Sequence, residues 1–258
     1  MILALDVGNS NIVFGCLDEE KIYFVGRLST DRSCTEDEYA IRFKSLMELN
    51  GITPEMIKGS IISSVVPPLI NILVAAVEKS VGKTPIVVGP GVKTGLNIKI
   101  DNPAQLGADL AAGAVAAMTK YPLPCIIFDL GTATTVSVVD REGGFLGGAI
   151  AAGPSTTLEA LATKTAQLPF IDIEAPKSVI GSNTVDCMKS GIVFGTASML
   201  EGMASRIEKI LGEEATLVAT GGLSGTIVSK CERKIVLDDN LLLDGLRIIY
   251  NKNKNCIR

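Results

Sequence analysis

Three aspartates stand alone among apolar residues. Asp6 is the only charged residue in Met1–Leu17, Asp109 the only one in Asn102–Thr119, and Asp129 the only one in Tyr121–Val139. An unpaired buried charge is costly, so each is expected to face a cation, a group of donors or a substrate. Taken singly, each also reads as a capping or solvent-facing aspartate. Asp6 and Asp129 share a further context: Gly8-Asn9-Ser10-Asn11 follows the first, and Gly131-Thr132-Ala133-Thr134-Thr135 the second. Glycine lets a backbone approach closely, and small donors suit phosphate oxygens, with the aspartate placed for a metal ion. Asp109 differs. It sits in a run of Ala, Gly, Leu, Val and Met, where an isolated carboxylate is the best candidate for a base.

The chain has no His, which removes Ser-His-Asp and Cys-His catalysis and H-E-x-x-H zinc sites together. Proton transfer must fall to a carboxylate, Lys, Tyr or Cys. The six cysteines, Cys16, Cys34, Cys125, Cys187, Cys231 and Cys256, show no C-x-x-C or metal-ligand spacing and read as free thiols in a reducing cytosol. Two glycine-rich segments are decoys. Gly82-Lys83-Thr84 resembles the end of a Walker A loop, but Val77 stands where its first Gly belongs. Gly89-Pro90-Gly91 through Gly95 lacks G-x-G-x-x-G spacing.

The elements that must hold these residues alternate between strand and helix. Strands are expected at Ile2–Val7, Asn11–Leu17 and Lys21–Leu28, then a helix opened by the capping box Thr35 to Glu38 and stopped at Asn50-Gly51. A strand at Ser60–Val65, a helix at Pro67–Gly82, a strand at Pro85–Val88 and a small-residue helix at Pro103–Lys120 complete this half. Cys125 through Thr132 then repeats the pattern of Leu3 through Asn9, and Leu217–Gly222 resembles Ile61–Pro67. A duplicated α/β domain with a mixed sheet in each copy explains this, as would two similar hairpins of one sheet. A cleft between two such halves is a natural ligand site. The pattern is not Rossmann-like, because the first strand runs into a hairpin and not a helix.

At 258 residues, the chain can bury a sizeable core as one large domain or two. With 24 Lys+Arg against 28 Asp+Glu and no basic patch, neither nucleic acid nor membrane is expected as a partner. The chain opens on a strand-like run without a basic leader and has no long apolar stretch, so a cytoplasmic location is expected.

In order along nearly the whole chain, the motifs resemble those of the type III pantothenate kinases, within the acetate kinase/sugar kinase/Hsp70/actin superfamily. Asp6 through Asn11 is similar to the family's first phosphate motif, Asn102-Pro103 through Gly107-Ala108-Asp109 to its substrate motif, and Asp129 through Thr135 to its second phosphate motif. Gly147-Gly148, Gly153-Pro154, Thr165–Pro169, Gly181–Thr184 and Thr220-Gly221-Gly222 follow in family order. The resemblance implies two ribonuclease H-like (actin-like ATPase) domains, 1–118 and 119–258, around an interdomain cleft. It implies ATP-dependent phosphorylation of pantothenate, with Asp109 as general base. ATP would be bound by Asp6, Val7, Gly8, Asn9, Ser10, Asn11, Ile12, Val13 and Thr132. Pantothenate would be bound by Gly107, Ala108, Asp109, Leu110 and Thr184, the last from the other subunit of a homodimer. A monovalent cation, potassium or ammonium, would sit at Asp129, and magnesium would enter with ATP. The family pattern has Tyr and Arg where this chain has Ile100 and Leu110. The same resemblance also admits another small-molecule kinase or phosphatase of the superfamily, or a transcriptional accessory factor.

Overall fold

The computed structural model describes Met1–Cys256; the side chain of Cys256, and with it the expectation of a free thiol there, lies outside the described residues. The other five cysteines are free.

The first unit comprises Met1–Gly95, Asn102–Ala116 and the chain from Leu241 onward. Its sheet has the order β3-β2-β1-β4-β5, with β1 Ile2–Val7, β2 Asn11–Leu17, β3 Ile22–Ser29, β4 Gly59–Ser64 and β5 Ile86–Val87. The two hairpin pairings are antiparallel, whereas β4 joins β1, and β5 joins β4, in parallel. Strand alternation sorts the faces. Leu3, Leu5, Val7, Ile12, Phe14 and Cys16 point into a core shared with Tyr39, Phe43 and Met47 of α1 (Glu36–Leu49) and with Leu73 and Val77 of α2 (Ile70–Val81). Phe14 stacks on Phe43 with ring centroids 5.3 Å apart. Asp6 is on the opposite face.

Helix starts and stops follow local chemistry. Thr35 and Glu38 form a reciprocal capping box on α1, and Asn50 closes it ahead of Gly51 at φ 70°. Gly82 is the left-handed cap of α2, its N–H donating to Glu78 O at 2.8 Å, so the Walker-like segment is a helix end. The expected helix over Pro103–Lys120 is broken. A 3-10 turn, Pro103–Gln105, is capped by the Asn102 side chain, Leu106 is extended, and α3 runs only over Ala108–Lys120.

The second unit comprises Leu96–Asp101 and Ala117–Asn240. Its strands are β6 Asn97–Ile98, β7 Cys125–Leu130, β8 Ala133–Val139, β9 Gly144–Ala152, β10 Thr216–Thr220 and β11 Val236–Leu237, in the order β11-β10-β7-β8-β9-β6. Apart from the added β6, order and strand directions repeat those of the first sheet: β7-β8-β9 is antiparallel, and β10 and β11 add in parallel. Ile126, Phe128, Leu130 and Val136 pack on Val193, Ala197, Leu200 and Ala204 of the long α5 (Thr184–Leu211). The helices α4 (Pro154–Lys164) and α6 (Ser224–Val228) complete this unit. Among the described residues no helix is long and apolar enough to cross a membrane.

The division differs from a single cut after residue 118. The last helix, α7 (Leu241–Asn253), returns to the first unit: a side chain on Gly15 would strike Leu243, and one on Gly59 would strike Tyr250. Its Gly245 lies so close to α3 that a Cβ would overlap the Ala112 carbonyl. Gly245→Ala is therefore expected to lower the melting temperature by about 4 °C or more, the size of an overpacking cost in a chain of this length. Gly225→Ala, which meets open space, is the matched control and should shift it by less than about 2 °C. Equal shifts in calorimetry would show that the α3–α7 approach is not tight.

Candidate active site

In the first unit, Asp6 lies half-buried one residue before the end of β1, and the turn Gly8–Ser10, exposed at Asn9 and Ser10, links β1 to β2. The Gly8 N–H donates to Asn11 O at 2.9 Å, closing the turn. Two residues beyond β3, unmarked in the sequence reading, hold it from outside. Thr30 donates through Oγ1 to Gly8 O at 2.7 Å and through its N–H to Ser10 O at 3.0 Å. Arg32 reaches Asn9 Oδ1 at 3.4 Å and brings a cation to a turn suited to anions. The one signal for them was the polar run Ser29-Thr30-Asp31-Arg32 that follows the alternating β3.

Asp109 sits in the first turn of α3. Its Oδ1 accepts the Leu110 N–H at 2.8 Å, so the carboxylate folds back over the helix start. Gly107 makes the room: a Cβ there would lie 2.5 Å from the same oxygen. Burial pushes the Asp109 carboxyl above its ordinary 3.8, and the Leu110 hydrogen bond opposes this less strongly.

In the second unit, Asp129 lies half-buried one residue before the end of β7, in register with Thr135 of β8 and Thr220 of β10. The following turn is one residue shorter than its counterpart, Gly131 N–H donating to Ala133 O at 3.1 Å. Thr132 is exposed, and its carbonyl accepts from Gly153 N–H at 3.0 Å and from Thr156 Oγ1 at 2.7 Å, which ties the turn to the start of α4. Gly221, at φ 96°, follows β10; a Cβ there would lie 2.7 Å from Asp129 Oδ1 and from Leu130 N and O. Only a bare backbone fits against this carboxylate. The resulting cradle of carboxylate and peptide oxygens could hold a hard cation. Among the described residues no group of three or more Cys, Asp or Glu offers a dedicated metal cage.

Thr184 is exposed in the first turn of α5, where Asn183 caps the helix by accepting Asp186 N–H at 2.9 Å. It lines a groove of about 560 Å³ with Thr157, Leu161, Leu168, Cys187, Met188, Gly191 and Ile192. Position 110 is a half-buried Leu, and Ile100 stands against Gly147, so neither offers a charge. Asp6–Val13 and Gly107–Leu110 belong to the first unit, and Asp129, Thr132 and Thr184 to the second.

Two mixed sheets of one duplicated topology define the class, and solved structures place the fold among the actin-like ATPases and sugar kinases. A conserved Baf family protein of Campylobacter jejuni has a TM-score of 0.65 at 19% identity, over 98% of this chain and 100% of the other. A ROK hexokinase of Thermus thermophilus scores 0.54 at 12% identity, over 98% and 99%. MreB 5 of Spiroplasma citri, solved with AMPPNP bound, scores 0.55 at 8% identity, over 99% and 97%. Within that class the chain belongs to the type III pantothenate kinase family, whose model matches residues 2–206. Type III pantothenate kinases of Exiguobacterium sibiricum and Halalkalibacterium halodurans are 45% and 44% identical to it, each over 98% of this chain and 100% of theirs.

A raised carboxyl means that the folded chain holds the Asp109 proton more tightly than the unfolded chain does. Ionised Asp109 therefore costs stability at neutral pH, and the cost fades as pH falls through the raised value. Asp109→Asn is expected to melt above wild type at pH 7, with the difference shrinking towards pH 4. A difference independent of pH, or a variant that melts lower throughout, would reject the burial argument.

Proposed function

We propose that this chain transfers the γ-phosphoryl group of ATP to the primary hydroxyl of pantothenate, giving 4′-phosphopantothenate, the entry step to coenzyme A. The observation that carries this reading is the 45% identity, over the full length of the relative, to a type III pantothenate kinase. Asp6 through Val13 and Thr132 take the nucleotide, which brings magnesium with it, and Arg32 adds a cation beside the first turn. Gly107 through Leu110 and Thr184 take pantothenate. Asp109 accepts the hydroxyl proton as the new O–P bond forms and the bond from the γ-phosphorus to ADP breaks. Little more than alignment and charge neutralisation is needed for such a transfer. A carboxyl lifted by burial is a better proton acceptor than an ordinary one, which suits a chain without His.

Asp129 and the peptide oxygens around Gly221 would hold potassium or ammonium. The positive charge would offset that of the phosphates. As an ATP-consuming enzyme with free thiols, the chain is assigned to the cytoplasm. Ile100 and Leu110 favour a second reading, a kinase for another small alcohol that lacks pantothenate's carboxylate.

An ADP-release assay tests these assignments together. Turnover with pantothenate is expected, and Asp109→Asn should lower kcat by about 10²–10⁴-fold. Retention of more than about a tenth of the rate would move the base elsewhere. Potassium or ammonium added to a sodium or Tris buffer should raise the rate, and equal rates throughout would remove the cation from Asp129.

The working unit is further proposed to be a homodimer formed through the second unit, with Thr184 serving the partner's substrate. Ile150, Phe170, Val179 and Ile180 are large, apolar and 60–82% exposed in that unit. On α5, Phe194, Met199, Met203 and Ile207 lie partly exposed beside the buried stripe. Sedimentation should give a species of twice 27.0 kDa at micromolar concentration. A fully active monomer would exclude the dimer.

A further inference from the structure

Pantothenate carries a carboxylate, yet the residues proposed to take it in the first unit, Gly107–Leu110, include an aspartate and no cation. The proposed contact in the second unit, Thr184, lines the groove between α4 and α5. Most cations of the second unit near these elements are already occupied. Lys99 pairs with Asp140 at 2.6 Å and Glu142 at 3.3 Å. Lys189 pairs with Glu174 at 2.9 Å, and Arg206 donates to Gly202 O at 2.8 Å in its own helix. Lys93 belongs to the first unit, where its N–H donates to Asn253 Oδ1 and its carbonyl accepts from Asn253 Nδ2.

We propose that Lys164 supplies the cation that meets the substrate's carboxylate, and that the α4–α5 groove is the subsite for the acid end of the substrate. On α4, Thr157 and Leu161 line the groove, and Lys164, outside the lining, continues the same stripe seven residues after Thr157 at the end of the helix. Lys164 is exposed and enters no ion pair among the described residues. The groove matches this end of the molecule chemically. Leu161, Leu168, Met188 and Ile192 give apolar walls for a short methylene chain, and the Thr157 and Thr184 hydroxyls can meet an amide. A lysine already tied to a carboxylate would have to break that pair to bind substrate, whereas Lys164 would not.

This inference rests on the pantothenate reading above, so its test separates the two. KM is measured for pantothenate and for pantothenol, the neutral alcohol that replaces the carboxylate. The variants are Lys164→Met, Lys164→Arg and, as a control, Lys177→Met, an exposed lysine of the segment between α4 and α5 that lies off the Thr157–Leu161 stripe of α4. Lys164→Met should raise KM for pantothenate about five-fold or more, leave kcat within about two-fold, and leave KM for pantothenol unchanged. Lys164→Arg should restore the pantothenate value, and Lys177→Met should change neither. An unchanged pantothenate KM in Lys164→Met, or an equal rise for the neutral analogue, would remove Lys164 and leave the kinase reading intact. Wild-type chain that turns over no pantothenate would overturn both.

Discussion

Each unit places a carboxylate one residue before the end of a central strand, Asp6 on β1 and Asp129 on β7, and that placement constrains everything nearby. Strand alternation sends Leu5 and Val7 into the aromatic core of the first unit, and Phe128 and Leu130 into the α5-packed core of the second. Asp6 and Asp129 therefore fall on the other face, where a charge is tolerable only if polar groups or bare backbone stand close by. Glycine meets that requirement at the points of closest approach. Gly8 and Gly131 open the turns, and Gly221 brings bare backbone against Asp129 and Leu130, where any side chain would collide. The cores can be varied as apolar volume. The turns cannot be varied in that way.

Duplication supplies two such placements, and the copies have diverged where their turns are fastened. In the first unit a three-residue connection, Gly8–Ser10, is held by Thr30 and Arg32, which arrive from beyond β3. In the second, a two-residue connection, Gly131-Thr132, is held by Gly153 and Thr156 at the start of α4. The first fastening adds a cation and the second adds none. That difference agrees with the proposal that phosphate oxygens lie at the first turn and a cation beside Asp129. The same hairpin pattern is compatible with both proposed roles, because the distinction lies in what packs against it.

Local chemistry was readable from the sequence, and long-range packing was not. The hairpin strands Ile2–Val7 and Asn11–Leu17, the Thr35–Glu38 capping box and the Gly82 cap are set by neighbours within a few residues, and all appear as expected. The return of α7 to the first sheet has no such signal. Leu241, Leu243, Leu246, Ile249 and Tyr250 announce a buried face but not which sheet it covers. Thr30 and Arg32 were missed for the same reason, since a threonine after a strand shows nothing until the turn it clamps is in place. The break before α3 was hidden in a different way. Pro103 suits the first turn of a helix and the Asn102 cap starts one, but the turn stops after Gln105, and extended Leu106 lets α3 begin afresh beside Gly107.

That fresh start matters for the chemistry. Had one helix run unbroken from Pro103, Asp109 would sit mid-helix, without orphan N–H groups to turn towards. In the first turn of α3 its oxygen takes the Leu110 N–H while the carboxyl stays half-buried. Two opposed effects then set its proton affinity: the N–H bond favours the anion, and burial favours the acid and prevails. In a chain without histidine, the residue whose ordinary pKa already lies near neutrality, a carboxyl raised by burial suits the base role proposed for Asp109 better than an ordinary one would.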